Sequence, residues 1–374
     1  MSFIEPVQHT NIALLYECDD ETNVILDRYV QSHPNGSVYH LSAWRDAIKL
    51  AYKHQTMVLI AMKGQDIVGF LPLCCMSIPI FGKHLIALPF ADYCSAIADE
   101  PEIEIQLIEE AKRQLIKISA KKLEVRDSEF ELVQSKAINP SEEPCENHLS
   151  LLKAKVRMLV HLPASADLLM SSYKPKLRSQ IKKAQKNGLT AKIADDEDAL
   201  NLFYRVYARN MHRLGSPVHS FRWFQALRKN LLSLGAFQVV LIEYQESVVG
   251  AAIVLHFGKS AWIPWASTLQ DYNHLAPNML MYWQIQAYLS DKGVRVFDMG
   301  RSTIGEGTYR FKAQWGAVAD PLRWTVYRPT DIADSKETKI GSVKLRRLAE
   351  KMWRLLPLPV ATACGAYLRR YISL

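Results

Sequence analysis

Apolar and polar positions alternate in two separate stretches of the chain, and each alternation folds back on itself. Residues 58–69, VLIAMKGQDIVG, and residues 240–250, VLIEYQESVVG, each run apolar, cross a polar turn and close on Val-Gly. A period of two on both sides of a turn predicts a β-hairpin in each place. Ahead of the hairpins, residues 40–48, HLSAWRDAI, line up with residues 219–227, HSFRWFQAL, in His, Trp, Ala and an aliphatic at equal spacing. Beyond them, LEVRD at 123–127 and VRVFD at 294–298 read as strands that each end in an aspartate.

Anchors repeated in one order predict two copies of one α/β unit: helices, a hairpin, more strand, a helix, and a strand ending in Asp. The hairpins supply antiparallel pairs, and the helix before each last strand permits a parallel one, so each copy should hold a mixed sheet. The expected boundaries are 1–165 for the first domain, 166–330 for the second and 331–374 for a tail. Residues 171–189, SSYKPKLRSQIKKAQKNGL, space Leu177, Ile181 and Ala184 along one stripe and end at Gly188, which predicts a short amphipathic helix. Its other face carries Lys176, Arg178, Lys182, Lys183 and Lys186, either as a solvated face or as a phosphate-binding surface.

The tail repeats Leu345, Leu348, Met352 and Leu355 at helical spacing among Lys344, Arg346, Arg347, Lys351 and Arg354. The apolar run that follows is interrupted by Pro357, Pro359 and Gly365 and is shorter than the roughly 20 residues a membrane span needs. Two readings stand for this basic amphipathic tail: it lies on an anionic membrane surface, or it docks on the second domain.

Composition narrows the class. With 374 residues, 49% hydrophobic and 22% charged, the chain is neither disordered nor a membrane bundle. The N-terminus lacks a basic segment leading into an apolar one, so a cytoplasmic location is expected, with the inner leaflet of the membrane as a peripheral option. A formal net charge of +8 favours an anionic partner. The six cysteines, Cys18, Cys74, Cys75, Cys94, Cys145 and Cys364, lack CxxC spacing, and the histidines lack paired ligand spacing, so neither a disulfide framework nor a metal site is expected. Cys74 and Cys75 read as core residues of a strand.

One segment carries candidate chemistry. Residues 297–316, FDMGRSTIGEGTYRFKAQWG, follow the second Asp-ended strand. Gly300, Gly305 and Gly307 predict a loop that turns tightly and lets a ligand approach, and Arg301, Arg310 and Lys312 bring cations to it. Arg126 and Arg301 could each hold a phosphate or pair with a neighbouring carboxylate. Among the aromatics, Trp265 and Tyr309 sit beside polar loop residues and are the candidates for stacking on a base or sugar.

Together with LRSQIKKAQKNGL before it and FYRVYARNMHRLGSP at 203–217, this segment resembles the FemAB-type aminoacyltransferases of the GNAT superfamily. The chain looks most like the FemAB-related proteins that accompany exosortase (PEP-CTERM) and surface-polysaccharide systems. The resemblance implies an α/β fold made by tandem duplication of two GNAT-like (acyl-CoA N-acyltransferase) domains with mixed sheets. It also implies an acyltransferase that forms an amide on a cell-envelope or surface-polysaccharide precursor, with an aminoacyl-tRNA as donor in the characterised branch. Phe311 and Lys312 match that branch's functional motif, and the role implied for Lys312 is to stabilise charge at the reacting ester.

Amide formation from an activated ester passes through a tetrahedral intermediate whose oxyanion needs a fixed donor, and a base must take the amine proton. Asp127 and Asp298, at equivalent strand ends, are the candidate bases. Asp127 is favoured for acceptor contact because its VRD resembles a strand-end motif of the family's acceptor cleft, and Asp298 has the alternative of capping its own loop. The pyrophosphate loop of acetyl-CoA-dependent members, Q/R-x-x-G-x-G/A, has no clean copy here, and the family's helical arm has no room in the second domain. No tightly bound cofactor is therefore expected. The acyl donor is a co-substrate, an aminoacyl-tRNA or an acyl-CoA or acyl carrier, and the acceptor an anionic small molecule or a lipid-linked precursor. A non-catalytic GNAT pair that binds an anionic glycolipid or nucleotide sugar is the alternative, and an RNA-binding protein a third reading.

Overall fold

The computed structural model describes residues 10–128, 155–329 and 343–374; Cys145 and His148 lie outside them. The chain divides into two compact units. The first is Met1–Asp127 with Trp324–Glu337 and Ser373–Leu374, and the second is Ser128–Arg323 with Thr338–Ile372.

In the first unit the order is β1 (Asn11–Leu15), α1 (Asp20–Ser32), α2 (Ser42–Tyr52), β2 (Gln55–Lys63), β3 (Asp66–Ile78), β4 (Gly82–Ile86), the short β5 (Ile97–Ala98), α3 (Pro101–Lys117) and β6 (Lys122–Ser128). The strands lie side by side as β1-β2-β3-β4-β6, with β5 on β3. All pairs are antiparallel except β4 with β6, which α3 connects as a crossover. Leu59, Leu71, Leu85 and Leu123 of this sheet pack on Ile103, Leu107 and Ala111 of α3, a helical i, i+4, i+8 stripe.

The second unit repeats that string and extends it. β7 (Lys155–His161) comes first, then α4 (Ala166–Ser172), α5 (Pro175–Lys186), β8 (Thr190–Ala194), α6 (Glu197–Leu214), α7 (Phe221–Leu231), β9 (Phe237–Tyr244), β10 (Ser247–Phe257), β11 (Ser260–Thr268), α8 (Pro277–Asp291) and β12 (Val296–Thr303). The chain goes on through α9 (Gly307–Ala313), β13 (Val318–Tyr327), α10 (Val343–Leu355) and α11 (Leu358–Arg369). The sheet order is β13-β7-β12-β11-β10-β9-β8, and β11 with β12 is the parallel pair, bridged by α8. β10 is buried on both faces, from Val249 to Leu255, which is why its sequence is continuously apolar.

The duplicated pattern is therefore a duplicated topology. The two hairpins are β2-β3 and β9-β10, the two His/Trp segments begin α2 and α7, and the two Asp-bearing strands are β6 and β12. The hairpin turn at Gln245 and Glu246 has both residues at positive φ, the geometry whose twist matches a tight antiparallel pair. The amphipathic helix of 171–189 is α5, which buries Leu177, Ile181 and Ala184 and stops before Gly188 at φ 82. Cys74 and Cys75 lie in the core of β3, where burial pushes both thiols up, away from reactive thiolates.

The units depart from the expected boundaries 1–165, 166–330 and 331–374 because pairing crosses them. β7 lies before residue 166 yet belongs to the second sheet, between β12 and β13. From Trp324 the chain belongs to the first unit, where the Trp324 indole donates to the Asp92 carbonyl at 3.1 Å.

The tail forms two helices that dock on the second unit. Trp353, Ala361 and Gly365 face inward, His212 meets the Leu356 carbonyl through Nε2 at 2.9 Å, and Arg354 donates to the Leu214 carbonyl at 3.3 Å. Arg369 Nε donates to His219 Nε2 at 3.2 Å. Burial, with Arg369 adding to it, pushes His219 well below its ordinary value, so it accepts as a neutral ring. Of the two readings of the tail, docking is what these contacts show.

Gly365 is where α11 comes closest: a Cβ there would meet the Val218 backbone nitrogen at 2.9 Å and Trp353 at 3.3 Å. Gly365→Leu should destabilise the tail by about 1–3 kcal/mol, seen as faster tryptic cleavage at Arg369 and Arg370; unchanged cleavage would show that α11 is not fixed by this contact. In the first unit, His40 is buried between the Ser37 hydroxyl and the Ser95 carbonyl, and burial lowers it to about 4 from 6.5. The unfolded chain takes up a proton near its ordinary value while the folded chain does not, so stability falls as pH drops from 6.5 toward about 4. The loss should approach about 3 kcal/mol, and His40→Gln should flatten this part of a urea-melt pH profile.

Candidate active site

β12 is held differently on its two sides. It pairs in parallel with β11 only at Ser260↔Val296, Ala261↔Phe297 and Trp262↔Asp298, after which the two strands part while β11 stays paired with β10 as far as Thr268. On its other side β12 pairs with β7 from Val296↔His161 to Asp298↔Leu159 and again from Arg301↔Arg157, so Met299 and Gly300 stand against Met158 alone. That extra residue is a β-bulge, and Gly300 adopts φ 77 within it. The expected loop after Asp298 is thus a bulged strand that continues to Thr303, because β7 offers it a partner through Lys155.

Asp298 closes the bulge. Its carboxylate accepts from the Gly300 N–H at 2.7 Å and lies 3.7 Å from the Arg157 guanidinium. Arg157 also pairs through Nε with Asp320 of β13, so β7, β12 and β13 are joined by one buried charge set. The reading of Asp298 as a base gives way to its alternative, an aspartate capping its own turn.

The segment expected to remain loop forms the short helix α9, which presents two faces. Phe311 and Trp315, one turn apart, pack on Tyr282 of α8 at 5.1 and 6.1 Å between ring centroids, and Trp315 also meets Tyr173. Lys312 points the other way. Its ammonium is buried and donates to the carbonyls of Gly300 at 2.8 Å and Arg301 at 3.0 Å, on the bulge itself. The Ser302 hydroxyl and the Trp315 indole N–H are buried without a protein partner, each costing about 1–3 kcal/mol that a polar ligand or solvent would offset.

The structure gathers Arg301, Tyr309, Arg310, Phe311 and Lys312 at this junction of β12 and α9; Tyr309 is half-buried and Arg310 exposed. Arg178, half-buried, and Lys182, exposed, lie on α5, which packs on α8. Asp127, half-buried on β6, belongs to the first unit. Two candidates are corrected. Trp265 is core, edge-on to Phe224 at 5.1 Å and to His219 at 5.8 Å, because its strand position faces α7. Arg126 is fully buried, donates to Glu124 and to the carbonyls of Ala91 and Ser373, and lies under Trp324, so its guanidinium holds the fold together.

Arg157 and Asp320 escaped the sequence reading. The cation between Val156 and Met158 in the run VRMLV is the signal that could have found Arg157, because a charge between apolar strand neighbours implies a buried counter-charge. The connection from β11 into α8, LQDYNHLA at 269–276, contains no glycine, and Pro277 removes an N–H from the first helical turn. A diphosphate cradled by backbone amides is poorly served there.

Residues 171–313 match the acetyltransferase (GNAT) domain family. A lipid II:glycine glycyltransferase of Staphylococcus aureus (strain bovine RF122 / ET3-1) is 24% identical over 232 residues, covering 59% of this chain and 54% of that protein. The chain thus spans about half the length of this curated relative. Among solved structures, FemX superposes with a TM-score of 0.63 at 16% identity, over 82% of this chain and 96% of that one. A tandem GNAT protein from the clavulanic acid biosynthesis pathway does so with a TM-score of 0.51 at 12% identity, over 88% and 100%. These likenesses give residues 171–313 a match to the GNAT domain family, some sequence similarity to a Fem-type glycyltransferase, and the chain as a whole the tandem mixed-sheet α/β fold.

Arg157→Met should destabilise the protein by about 3–5 kcal/mol by removing the cation between two buried carboxylates. Arg157→Met with Asp320→Asn should recover part of that loss in urea melts; no recovery would mean that the pair does not act as a unit.

Proposed function

We propose that this chain is an N-acyltransferase that forms an amide on an amine of a lipid-linked cell-wall or surface-polysaccharide precursor. The observation that carries the reading is the Lys312 ammonium, fixed on the bulge of β12 by two carbonyls inside the segment that matches the GNAT domain. A cation held in place before the reaction stabilises an oxyanion without the reorganisation that water would need. The acceptor amine attacks the carbonyl carbon of an activated acyl donor and the C–N bond forms. A general base takes the amine proton, Lys312 stabilises the oxyanion, and collapse expels the donor's oxygen or sulfur leaving group.

The glycine-free connection before α8 favours a donor other than acetyl-CoA, and an aminoacyl-tRNA or acyl carrier is the donor class in this reading. Arg301, Arg310, Arg178 and Lys182 receive the anionic parts of donor and acceptor. Phe311 and Tyr309 line the acyl end. The tail adds peripheral contact with an anionic inner leaflet through Leu348, Met352 and Leu355, which recur at i, i+4, i+7 and are exposed although α10 is docked.

Lys312→Met should lower kcat by roughly 100-fold, measured below the variant's melting transition, while circular dichroism keeps the native signature and Tm falls because two carbonyls lose their donor. The assay offers aminoacyl-tRNA and acetyl-CoA in parallel with an amine-bearing lipid-linked precursor. Turnover by the variant near the native rate would overturn the role of Lys312. Tight acceptor binding with no product from either donor would replace this reading with the non-catalytic one.

A further inference from the structure

The turn between β3 and β4 carries two large apolar side chains that the first unit's core does not use. Ser77↔Lys83 and Ile78↔Gly82 close the ladder, leaving Pro79, Ile80 and Phe81 as its apex. Ile80 is 98% exposed and Phe81 52%. Ile80 also sits at φ 68, a left-handed conformation that a β-branched residue rarely adopts. An outlier that sets an isoleucine fully into solvent asks what that side chain meets.

The flanks are basic. Lys83 is exposed on β4, and Lys121 lies against the same turn: a Cβ on Gly82 would meet its Cε at 3.0 Å, and its N–H donates to the Lys83 carbonyl at 2.8 Å. Lys122 stands opposite His84 in the parallel pair. Burial, then Lys122 and, against an opposing pull from Glu124, Lys121 push His84 down, toward the neutral ring. Neither 77–84 nor 111–123 contains an aspartate or glutamate, and the nearest acid in sequence, Glu124, is paired with Arg126 and Lys122. Burial by itself would raise Glu124, but Arg126 and Lys122 outweigh it and keep the carboxylate ionised.

We propose that this hairpin apex docks the protein on an anionic bilayer, with Ile80 and Phe81 entering the interfacial region and Lys83 and Lys121 on the headgroups. An apex of two bulky exposed apolar residues flanked by two lysines suits a soft anionic surface, whose hydrocarbon receives the wedge while its charge meets the lysines. No described helix is long and apolar enough to cross a membrane, so such attachment is interfacial. The inference stands on the apex alone and holds whichever acyl group the second unit transfers.

The test is flotation of the full chain with vesicles of phosphatidylcholine, with and without phosphatidylglycerol. Binding is expected only with phosphatidylglycerol and should weaken as salt rises. Ile80→Ser with Phe81→Ser should reduce it by roughly tenfold, with melting curves establishing that the variant is folded. Phe81→Trp should give an emission blue shift on phosphatidylglycerol vesicles alone. Native-like flotation of the double serine variant, or an unshifted emission, would overturn the proposal. So would loss of binding on Leu348→Ser with Met352→Ser and Leu355→Ser while the apex variant still floats, which would assign attachment to the tail. An apex variant that instead abolishes self-association in sedimentation would make the apex a contact between copies of this chain.

Discussion

A strand that must pair in parallel on one side and antiparallel on the other cannot keep one register with both neighbours for long, and β12 resolves this with a bulge. Past Asp298 it leaves β11 and follows β7, one residue out of step. Everything distinctive in the second unit is arranged around that point. Asp298 caps the bulge, Arg157 compensates its buried carboxylate and that of Asp320, and Lys312 satisfies two carbonyls that the irregular strand presents. The two strands part at the carboxyl end of the parallel pair, the position at which ligands of open α/β sheets generally bind.

The same strand position has a different use in the first unit. The repeat aligns Arg126 with Phe297 and Asp127 with Asp298. Where Phe297 is plain core, Arg126 is a buried cation tied to Glu124, to two carbonyls and to the face of Trp324. Duplication supplied two scaffolds with one topology, and single residues at matching positions turned one toward internal cross-linking and the other toward a bulge with a fixed ammonium. The paired histidines tell the same story: His40 and His219 are both buried and neutral, but one is held by Ser37 and Ser95 and the other receives Arg369 from the tail.

The proposed membrane contact and the proposed acyl transfer fit one another physically. An enzyme whose acceptor is anchored in a bilayer gains encounter rate by staying on that surface, and interfacial attachment needs both apolar area and positive charge. The exposed apolar positions of the β3-β4 apex and of α10 each combine the two.

The sequence by itself determined the repeated architecture. Period-two and helical patterns are local, and they carried the hairpins, α5 with its buried Leu177, Ile181 and Ala184, the first tail helix and the order of elements. It also singled out the segment around Phe311 and Lys312. What it did not carry was pairing between distant strands. That β7 inserts between β12 and β13, that the strand after Asp298 bulges instead of ending, that α9 is helical and that Trp265 and Arg126 are interior all follow from partners more than a hundred residues away or from a neighbouring helix face. Local pattern decides which face of an element is apolar. Only the tertiary structure decides what that face meets, and so whether an arginine or an aspartate is a contact for substrate or a strut of the fold.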